Sequence, residues 1–579
     1  MCGIFCLINC AKHDKNLSIN HESREWSLCK DVISARGPDG LNSLTQGLSE
    51  WWHGQFYASI LWMQGAKPIS QPLVDNDSNI LLWNGDVFSG DLFQEGICDS
   101  EQVLSKLSIT NDIYSILKNI KGPFSIIYYQ SSSNLLYFAR DKFGRHSLLS
   151  KITENSLFLT SVAVKSLENI IELPAVGLYV ADLNEKKIKI KCLPWNKPNK
   201  RLINIINSFK ENYNVDITVE IPYSVLLVEN SVIDSSSTSK MGFLKYLDYF
   251  EDSNKFDEIM EYFLKQKDIN QIVNDLLKLL NESVRRRVKI IPDLCRNCTK
   301  LIYTNVAKCQ HTKVGILYSG GLDSAILAAI AHNHVPVDET IDLINVAFEK
   351  KNNANYEVPD RKTGRQTFNE LLKICSNRKF NLIEVNVSQE ELQRKRSTKI
   401  SDLVYPHATI LDDSLACAVW FASRAKGKIN LENQSYESTC RVLLLGMGAD
   451  EQFGGYMRHR TILKRNGWDA VKEELQLEFD RISERNLGRD DRMVADHGRQ
   501  SRLPYLDEDF VDYVQQLLPW ERCCPTEKFP PGLGDKLILR LVARKIKLHE
   551  AAKLLKRAFQ FGSRIADGKE NAKDISKRL

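Results

Sequence analysis

The chain has 579 residues, which is enough for two or more domains with sizeable cores. Its 78 lysines and arginines nearly balance its 73 aspartates and glutamates, and the net charge of +5 argues against a nucleic-acid coat protein or a polybasic membrane binder. No stretch of about 18 apolar residues occurs, so the sequence predicts no membrane-spanning helix.

The 14 cysteines are spread irregularly along the chain. Residues 1–6, MCGIFC, lack the basic and long apolar regions of a secretory signal peptide. Dilute, irregular cysteines without a secretory leader are typical of reduced thiols rather than of a disulfide framework. We therefore expect a cytoplasmic protein whose partners are small molecules, with neither nucleic acid nor a membrane among them. The oligomeric state cannot be read from the sequence.

Short β-type runs separated by turn residues occupy the chain up to about residue 195. They cover residues 4–7, 80–88, 123–129, 135–141 and 156–162. Runs of strands with few long helical patterns predict a sheet-based, layered domain over residues 1–195. Residues 196–268 are less regular and include the polar stretch 229–240, ENSVIDSSSTSK, so they are predicted to form a linker or irregular insertion.

The pattern changes at residue 273, where apolar residues begin to recur every three or four positions up to residue 288 and predict an amphipathic helix. Apolar strand-like runs at 314–318, 343–348, 380–387 and 442–445 then alternate with helical stretches such as 324–332 and 412–427. This alternation predicts a parallel sheet covered by helices on both faces, in a second domain over residues 269–579.

A candidate phosphate loop follows the strand at 314–318. It consists of Ser319, Gly320, Gly321, Leu322, Asp323 and Ser324, and an alanine-rich helix comes next. Two glycines allow the backbone to approach a ligand closely, and the start of the helix offers free N–H groups and the positive end of its dipole to an anion. The Asp323 carboxylate would repel phosphate unless a cation lay between them, so the loop predicts Mg²⁺ as well.

The sequence S-G-G-x-D-S after a strand resembles the pyrophosphate loop of the ATP pyrophosphatases, and in particular that of the asparagine synthetases. Three more segments resemble motifs of that family: LLGMGADEQFGGY at 444–456, DHGRQSRLPYLD at 496–507 and KRAFQFGSRI at 556–565. The resemblance implies that ATP adenylates a carboxylate, pyrophosphate leaves and ammonia displaces AMP. It also implies that Asp323 and Asp450 hold the metal, and that Leu317, Phe348 and Gly446 join Ser319, Gly320, Gly321, Asp323 and Ser324 at the nucleotide.

The amino terminus suggests a second reaction. A cysteine exposed at position 2 by removal of Met1 would carry its own general base, because its α-amine has a pKa near 8 and lies close to the thiol. The start Met-Cys-Gly-Ile-Phe resembles that of the class II glutamine amidotransferases, as do R-G-P-D at 36–39 and R-D-x-x-G at 140–144. This resemblance implies that Cys2 is the nucleophile that hydrolyses glutamine.

Two further segments extend the resemblance. Trp83-Asn84-Gly85-Asp86 is similar to the family's N-G-E segment, in which the Asn side chain and the Gly N–H form an oxyanion hole. Asp99, in the sequence CDSE, resembles the acid that holds the glutamine α-amine, and Asp86 is assigned to glutamine binding with it. The expected fold is therefore an N-terminal nucleophile αββα sandwich followed by a parallel-sheet α/β ATP pyrophosphatase domain.

The sequence departs from the family at the residues that handle the two substrates. It has no arginine between Arg36 and Arg140, where the family places the clamp for the glutamine carboxylate, and Lys67 could replace it only as a point charge. Met447 replaces a Glu that supports the adenylation reaction, and Leu445 replaces a Ser beside the nucleotide. Ala558 stands at the late Lys position, so Lys536 or Lys556 would have to neutralise pyrophosphate.

These departures leave several functions open. One is an asparagine synthetase-like amidotransferase that uses glutamine, ATP and Mg²⁺ on aspartate or another carboxylate. Another is a catalytically impaired relative that binds ATP or a protein partner, and in a third only the glutaminase is active.

Cys295, Cys298, Cys309 and His311 also invite a zinc interpretation. The C-x-H pair is spaced more tightly than in the usual zinc finger, which favours a surface loop with incidental thiols.

Overall fold

The computed structural model describes residues 2–10, 22–226, 242–250, 255–304, 306, 308–350, 355–430, 432–566 and 570–579. The polar stretch 229–240 lies outside the described residues. Within the described part of the chain, every helix is too short or too polar to cross a bilayer.

The described residues up to 226 form two sheets and five helices. The six-stranded sheet has the order β10-β8-β9-β1-β3-β2 and the seven-stranded sheet has the order β13-β12-β11-β7-β6-β5-β4. The strands are β1 Gly3–Cys10, β2 Gly40–Gly47, β3 Trp52–Ile60, β4 Leu73–Val74, β5 Ile80–Gly85, β6 Phe124–Gln130, β7 Leu135–Arg140, β8 Leu149–Thr153, β9 Ser156–Thr160, β10 Ile171–Glu172, β11 Gly177–Asp182, β12 Lys189–Pro194 and β13 Ile217–Val219. The helices are α1 Arg24–Arg36, α2 Asp99–Ser108, α3 Ile113–Lys118, α4 Lys200–Tyr213 and α5 Tyr223–Leu226.

The two sheets pack face to face, and helices cover their outer faces. Successive side chains along a strand point to opposite faces of its sheet, so each strand contributes to the core between the sheets and to the contact with the covering helices. On β1, Ile4 and Cys6 lie in the core between the sheets, whereas Phe5 packs outward against Trp26 of α1. On the other sheet, Trp83 of β5 packs outward among the side chains of α2 and α3. The four layers confirm the predicted αββα sandwich.

The structure differs from the irregular linker expected between residues 196 and 268. Leu202, Ile206 and Phe209 are buried at helical spacing on α4, and β13 pairs in parallel with β12 at the edge of the second sheet. The first domain therefore extends to about residue 226, since Val225 of α5 is buried beside α2 and α3. Three-residue strands such as β13 carry too little alternation to be recognised in a sequence.

From residue 242 onward, the described residues form one sheet surrounded by helices. Its strands are β14 Val314–Leu317, β15 Ile341–Phe348, β16 Phe380–Val387, β17 Lys426–Ile429, β18 Ser435–Glu437, β19 Val442–Leu444 and β20 Gln500–Arg502. Its helices are α6 Phe256–Lys265, α7 Lys267–Lys289, α8 Leu322–Ala331, α9 Pro359–Ile374, α10 Gln389–Lys395, α11 Ser401–Val404, α12 Ile410–Arg424, α13 Ala449–Phe453, α14 Met457–Asp480, α15 Ile482–Arg485, α16 Leu487–Ala495, α17 Glu508–Gln516, α18 Pro519–Arg522, α19 Leu537–Lys545, α20 His549–Lys553 and α21 Phe559–Gly562.

The strand order of this sheet is β18-β17-β16-β15-β14-β19-β20. Strands β16, β15, β14, β19 and β20 are parallel, and β17 and β18 add an antiparallel edge. The predicted parallel-sheet domain is confirmed. Because the chain leaves β14 toward β15 on one side and later returns at β19 on the other, a crevice opens beyond the carboxyl ends of β14 and β19.

Candidate functional site

The predicted phosphate loop lies in this crevice. Gly320 has φ +77°, and a Cβ atom there would lie 2.4 Å from the backbone of Gly364, so only glycine fits. Gly321 precedes the first turn of α8, and its N–H donates to the Ser319 hydroxyl at 3.2 Å. The Ser324 hydroxyl donates to the carbonyl of Gly321 at 3.1 Å. These bonds shape a loop that opens at the amino-terminal end of α8, where an anion is favoured.

Two aspartates and two lysines lie directly beside this loop. Lys536 Nζ is 2.6 Å from the carboxylate of Asp323 and 2.6 Å from that of Asp450. Lys556 Nζ is 2.7 Å from the second oxygen of Asp450. Asp323 lies in the first turn of α8 and Asp450 in the first turn of α13, and these helices follow the neighbouring parallel strands β14 and β19. The two lysines balance the charge of the two carboxylates.

The pKa values of the two carboxylates shift in opposite directions. Burial raises the pKa of Asp323, an effect that nearby Lys536 opposes and the like charge of Asp450 reinforces. For Asp450, the attraction of Lys536 and Lys556 outweighs burial and holds the pKa well below its usual range. Burial would lower the pKa of Lys536, but Asp323 and Asp450 raise it instead, so this lysine stays charged.

These residues fit a magnesium–nucleotide complex. Asp323 Oδ1 is buried and has no hydrogen-bond partner among the described residues. Carboxylate oxygens are the ligands that Mg²⁺ prefers, and the ion usually binds one or two of them together with substrate phosphates. The unpartnered carboxylate oxygen therefore suits the metal, and the start of the helix beside it suits the phosphates.

A cavity of about 480 Å³ extends from this cluster. Of the predicted nucleotide and metal residues, it is lined by Leu317, Ser319, Gly321, Asp323, Ser324, Gly446 and Asp450. Gly320 and Phe348 are not in that lining. Gly320 contributes to the shape of the loop through its close approach to Gly364. Phe348 is 1 % exposed and packs edge-to-face against Phe421, with 5.9 Å between the ring centroids.

The cavity also contains residues that the sequence analysis did not assign. Glu451 accepts a hydrogen bond from the Tyr456 hydroxyl at 2.7 Å, and both line the cavity. Several cations that the sequence analysis did not assign line it too: Arg458, Arg485, Arg489, Arg540 and Arg557. Leu445 and Met447 form part of the same wall, so the two departures from the family lie at the cavity itself.

The second predicted site is at the start of β1. Cys2 is partly buried, and its carbonyl accepts a hydrogen bond from Arg36 Nε at 3.3 Å. Arg36 is held by Asp491 of the second domain at 2.8 Å, with both side chains buried. Burial raises the pKa of the Cys2 thiol, and the Asp99 charge adds to the shift.

Asn84 and Gly85 end strand β5. Asn84 Nδ2 donates to the Ser125 hydroxyl at 3.3 Å, while the buried Oδ1 has no partner in the described part of the chain. A Cβ atom at Gly85 would lie 2.6 Å from the Trp83 ring, so the tight packing requires glycine. Both residues hold fixed positions at a strand end, which is what an oxyanion hole needs.

Asp99 and Asp86, the two acids assigned to glutamine binding, have different surroundings. The carboxylate of Asp99 accepts hydrogen bonds from Trp83 Nε1 at 3.0 Å and from the Ser100 N–H at 2.9 Å. Burial, with the charge of Asp86, raises the pKa of Asp99 to about 7. Asp86 is fully buried and accepts from Gln64 Nε2 at 3.0 Å and from Arg502 Nη2 at 3.1 Å.

The two arginines that border the arginine-free stretch already have partners. Arg36 donates to Asp491 through Nη2 and to the Cys2 carbonyl through Nε, while its buried Nη1 has no partner among the described residues. Arg140, at the other end of the arginine-free stretch, is buried and pairs with Glu172 at 3.6 Å. The side chain of Lys67 is exposed to solvent.

Comparisons with known proteins show to which family the chain belongs. The family profile described as "Glutamine amidotransferase domain" matches residues 1–178, and that described as "Asparagine synthase" matches residues 300–467 and 463–575. The chain is 34 % identical over 637 residues to "Asparagine synthetase domain-containing protein 1" of Gallus gallus, covering 99 % of this chain and 98 % of that protein.

The protein of the same name in Homo sapiens is 35 % identical over 631 residues, covering 98 % of this chain and 95 % of that protein. "Asparagine synthetase domain-containing protein CG17486" of Drosophila melanogaster is 36 % identical over 600 residues and covers both chains completely, at 100 % of each. The chain therefore belongs to the asparagine synthase family of glutamine amidotransferases.

Proposed function

We propose that the chain is an ATP-dependent glutamine amidotransferase, which hydrolyses glutamine at Cys2 and delivers the nitrogen to a carboxylate acceptor. The observation that carries the proposal is the cluster of Asp323, Asp450, Lys536 and Lys556 beside the phosphate loop. The two carboxylates suit Mg²⁺, and the two lysines and the start of the helix suit the phosphate oxygens of a magnesium polyphosphate.

In the glutaminase half, removal of Met1 would free the α-amine of Cys2 to act as base. The thiol sulfur attacks the side-chain carbonyl of glutamine while its proton passes to the amine. Asn84 and the Gly85 N–H stabilise the oxyanion, and Asp99 pairs with the glutamine α-ammonium. The C–N bond breaks, ammonia leaves with the proton, and water hydrolyses the thioester to glutamate.

In the synthetase half, bound MgATP supplies an adenylyl group that activates the acceptor carboxylate. Asp323 and Asp450 would hold the metal, and Ser319, Gly321 and Ser324 would bind phosphate oxygens. Lys536 and Lys556 would offset the charge of the departing pyrophosphate. The acceptor is aspartate or another carboxylic acid, and Leu445 and Met447 make its part of the cavity more apolar than the family motif would.

An assay of pyrophosphate release and glutamate formation tests both halves. The protein is incubated with glutamine and MgATP alone, with aspartate, and with a panel of other carboxylic acids. The proposal expects pyrophosphate with at least one acid, and its loss in Asp323→Asn. It also expects Cys2→Ala to abolish glutamate formation, and Cys10→Ala on the same strand to preserve it.

A second candidate is a family member that binds MgATP without transferring an amide. Met447 favours it, because a thioether cannot take the place of a carboxylate that accepts a proton or binds an amine. MgATP binding with no pyrophosphate on any acid would favour this candidate. Glutamate formation without pyrophosphate would instead point to an isolated glutaminase.

A further inference from the structure

A group of potential metal ligands lies outside both sites. The Sγ atoms of Cys295, Cys298 and Cys309 and a ring nitrogen of His311 all lie within 4.8 Å of one another. The expected surface loop differs from the structure in one respect: Cys295 and Cys309 are buried, and the tightly spaced C-x-H pair lies against the C-x-x-C pair.

The separations suit a tetrahedral ion. His311 Nδ1 is 3.6 Å from Cys295 Sγ and 3.3 Å from Cys298 Sγ. Zinc–sulfur bonds of about 2.3 Å and zinc–nitrogen bonds of about 2.0 Å at tetrahedral angles place sulfur and nitrogen about 3.5 Å apart. One ion could therefore contact all four side chains with only small adjustments.

Backbone hydrogen bonds position the cysteines of the cluster, and one of them donates to a sulfur. The N–H of Cys295 donates to Cys309 Sγ at 3.1 Å, and the N–H of Cys309 donates to the Asp293 carbonyl at 3.2 Å. A 3₁₀ helix at Arg296–Tyr303 holds the C-x-x-C turn, where the N–H of Cys298 donates to the Cys295 carbonyl at 3.1 Å. N–H groups that donate to a ligand sulfur orient it and stabilise its charge.

The local apolar core is small. Trp62, Leu294, Cys295 and Cys309 form its buried part, and Leu301 and Ile302 pack against its edge. Segments with so little apolar surface to bury are often stabilised by a disulfide or a structural metal. A disulfide would use two of the three thiols and leave the third thiol and His311 without a role, whereas zinc uses all four.

We propose that Cys295, Cys298, Cys309 and His311 bind one structural Zn²⁺. Three thiols and one imidazole form a closed Cys₃His set without a position for water or substrate. Binding releases the thiol protons and converts the three sulfurs into ligands. The site is separate from the ATP and glutamine sites, and its role is to stabilise the segment between α7 and the phosphate-loop strand.

Its position also connects the two domains. Arg441 donates to the carbonyls of Leu294 at 2.8 Å and Cys295 at 3.2 Å, and pairs with Asp39 of the first domain at 2.9 Å. Asp39 also accepts the backbone N–H of Trp62 at 2.8 Å. An ion that fixes Cys295 would therefore fix Arg441 against the R-G-P-D segment of the glutaminase domain.

Metal analysis of the full-length protein tests the proposal. After purification without chelator and dialysis against metal-free buffer, we expect about one zinc per chain. Cys298→Ser and His311→Ala should lose most of it. Cys98→Ser, which alters another partly buried cysteine, and His549→Ala, which alters another exposed histidine, should retain it. A wild-type protein that holds no zinc after growth and refolding with zinc would overturn the proposal. Full zinc content in both Cys298→Ser and His311→Ala would also overturn it.

A second measurement does not depend on the variants folding. The wild-type protein is stripped of zinc and titrated with Co²⁺ alone. We expect the visible bands of tetrahedral cobalt and an ultraviolet thiolate-to-cobalt band, both lost on adding one equivalent of zinc. Hydrogen exchange in peptides around Trp62 and Cys295 should slow when zinc is restored. Spectra of octahedral cobalt, or Cys295 and Cys298 found joined in a disulfide, would contradict a zinc site.

Discussion

Arg502 on β20 forms a fully buried ion pair with Asp86 after β5, with 3.1 Å between Nη2 and Oδ1. The remaining donors of Arg502 are bound to the Gln500 side chain and to the carbonyls of Arg287 and Ile290, each at 2.7 Å. The pair joins the predicted glutamine site to the edge of the synthetase sheet. Asp86 is therefore held by the second domain, and its charge in turn raises the pKa of its neighbour Asp99.

Arg502→Met should destabilise the protein by about 3–5 kcal/mol, because it leaves the Asp86 carboxylate buried without a counter-charge. Thermal unfolding followed by circular dichroism measures the change. Lys189→Met removes an exposed ion pair with Glu185 and should leave the midpoint almost unchanged. Adding Asp86→Asn to Arg502→Met should recover part of the loss, and no recovery would show that the unpaired charge is not the cause.

Glutamine binding should weaken as the pH falls through about 7. Burial and Asp86 raise the pKa of Asp99 to about 7, so at lower pH Asp99 is protonated and cannot pair with the glutamine ammonium. With that pKa the ionised fraction falls roughly tenfold between about pH 8 and about pH 6, and KM for glutamine should rise accordingly. Asp99→Asn should have a high KM that no longer varies with pH. A wild-type KM that stays constant over this range would contradict the role given to Asp99.

Lys536→Met should weaken MgATP binding by about 10–100-fold, because a charged hydrogen-bond donor contributes about 1.5–3 kcal/mol. The variant also leaves Asp323 and Asp450 side by side with less positive charge between them. Isothermal titration calorimetry measures the affinity. Lys545→Met, on the exposed face of α19, is the matched control. Equal affinities for the two variants would exclude Lys536 from the nucleotide site.

Met447→Glu should raise aspartate-dependent pyrophosphate release at least about tenfold, because it restores a general base at the cavity wall. Met447 is partly buried and lines the cavity, so a Glu carboxylate there can face the acceptor. Met447→Gln has the same shape without the charge and should produce no gain. Equal activity in the two variants would mean that the missing carboxylate does not limit the reaction.

The phosphate loop could be predicted because its residues are contiguous and follow a recognisable strand. Lys536 and Lys556 were candidates for neutralising pyrophosphate. In the structure, Lys536 pairs with Asp323 and Lys556 pairs with Asp450. The sequence could not reveal the Arg502–Asp86 pair, since the partners are far apart in the chain and meet only where the domains pack.

Two other features escaped prediction for local reasons. The C-x-H spacing at Cys309 and His311 is tighter than in the usual zinc finger, so the sequence did not indicate that this pair lies against Cys295 and Cys298. Helix α4 and strand β13 were expected to be linker, since a single amphipathic helix and a three-residue strand give a weak pattern when read alone.

The central claim is that glutamine hydrolysis at Cys2 is coupled to ATP-dependent activation of a carboxylate in one chain. Glutamine labelled with ¹⁵N at its amide, supplied with MgATP and the acid panel, tests it most directly by NMR. The account predicts that the label appears in an amide of one acceptor, in step with pyrophosphate, and that both disappear in Asp323→Asn. Label that remains in glutamine, or accumulates only as ammonia with every acid, would contradict it.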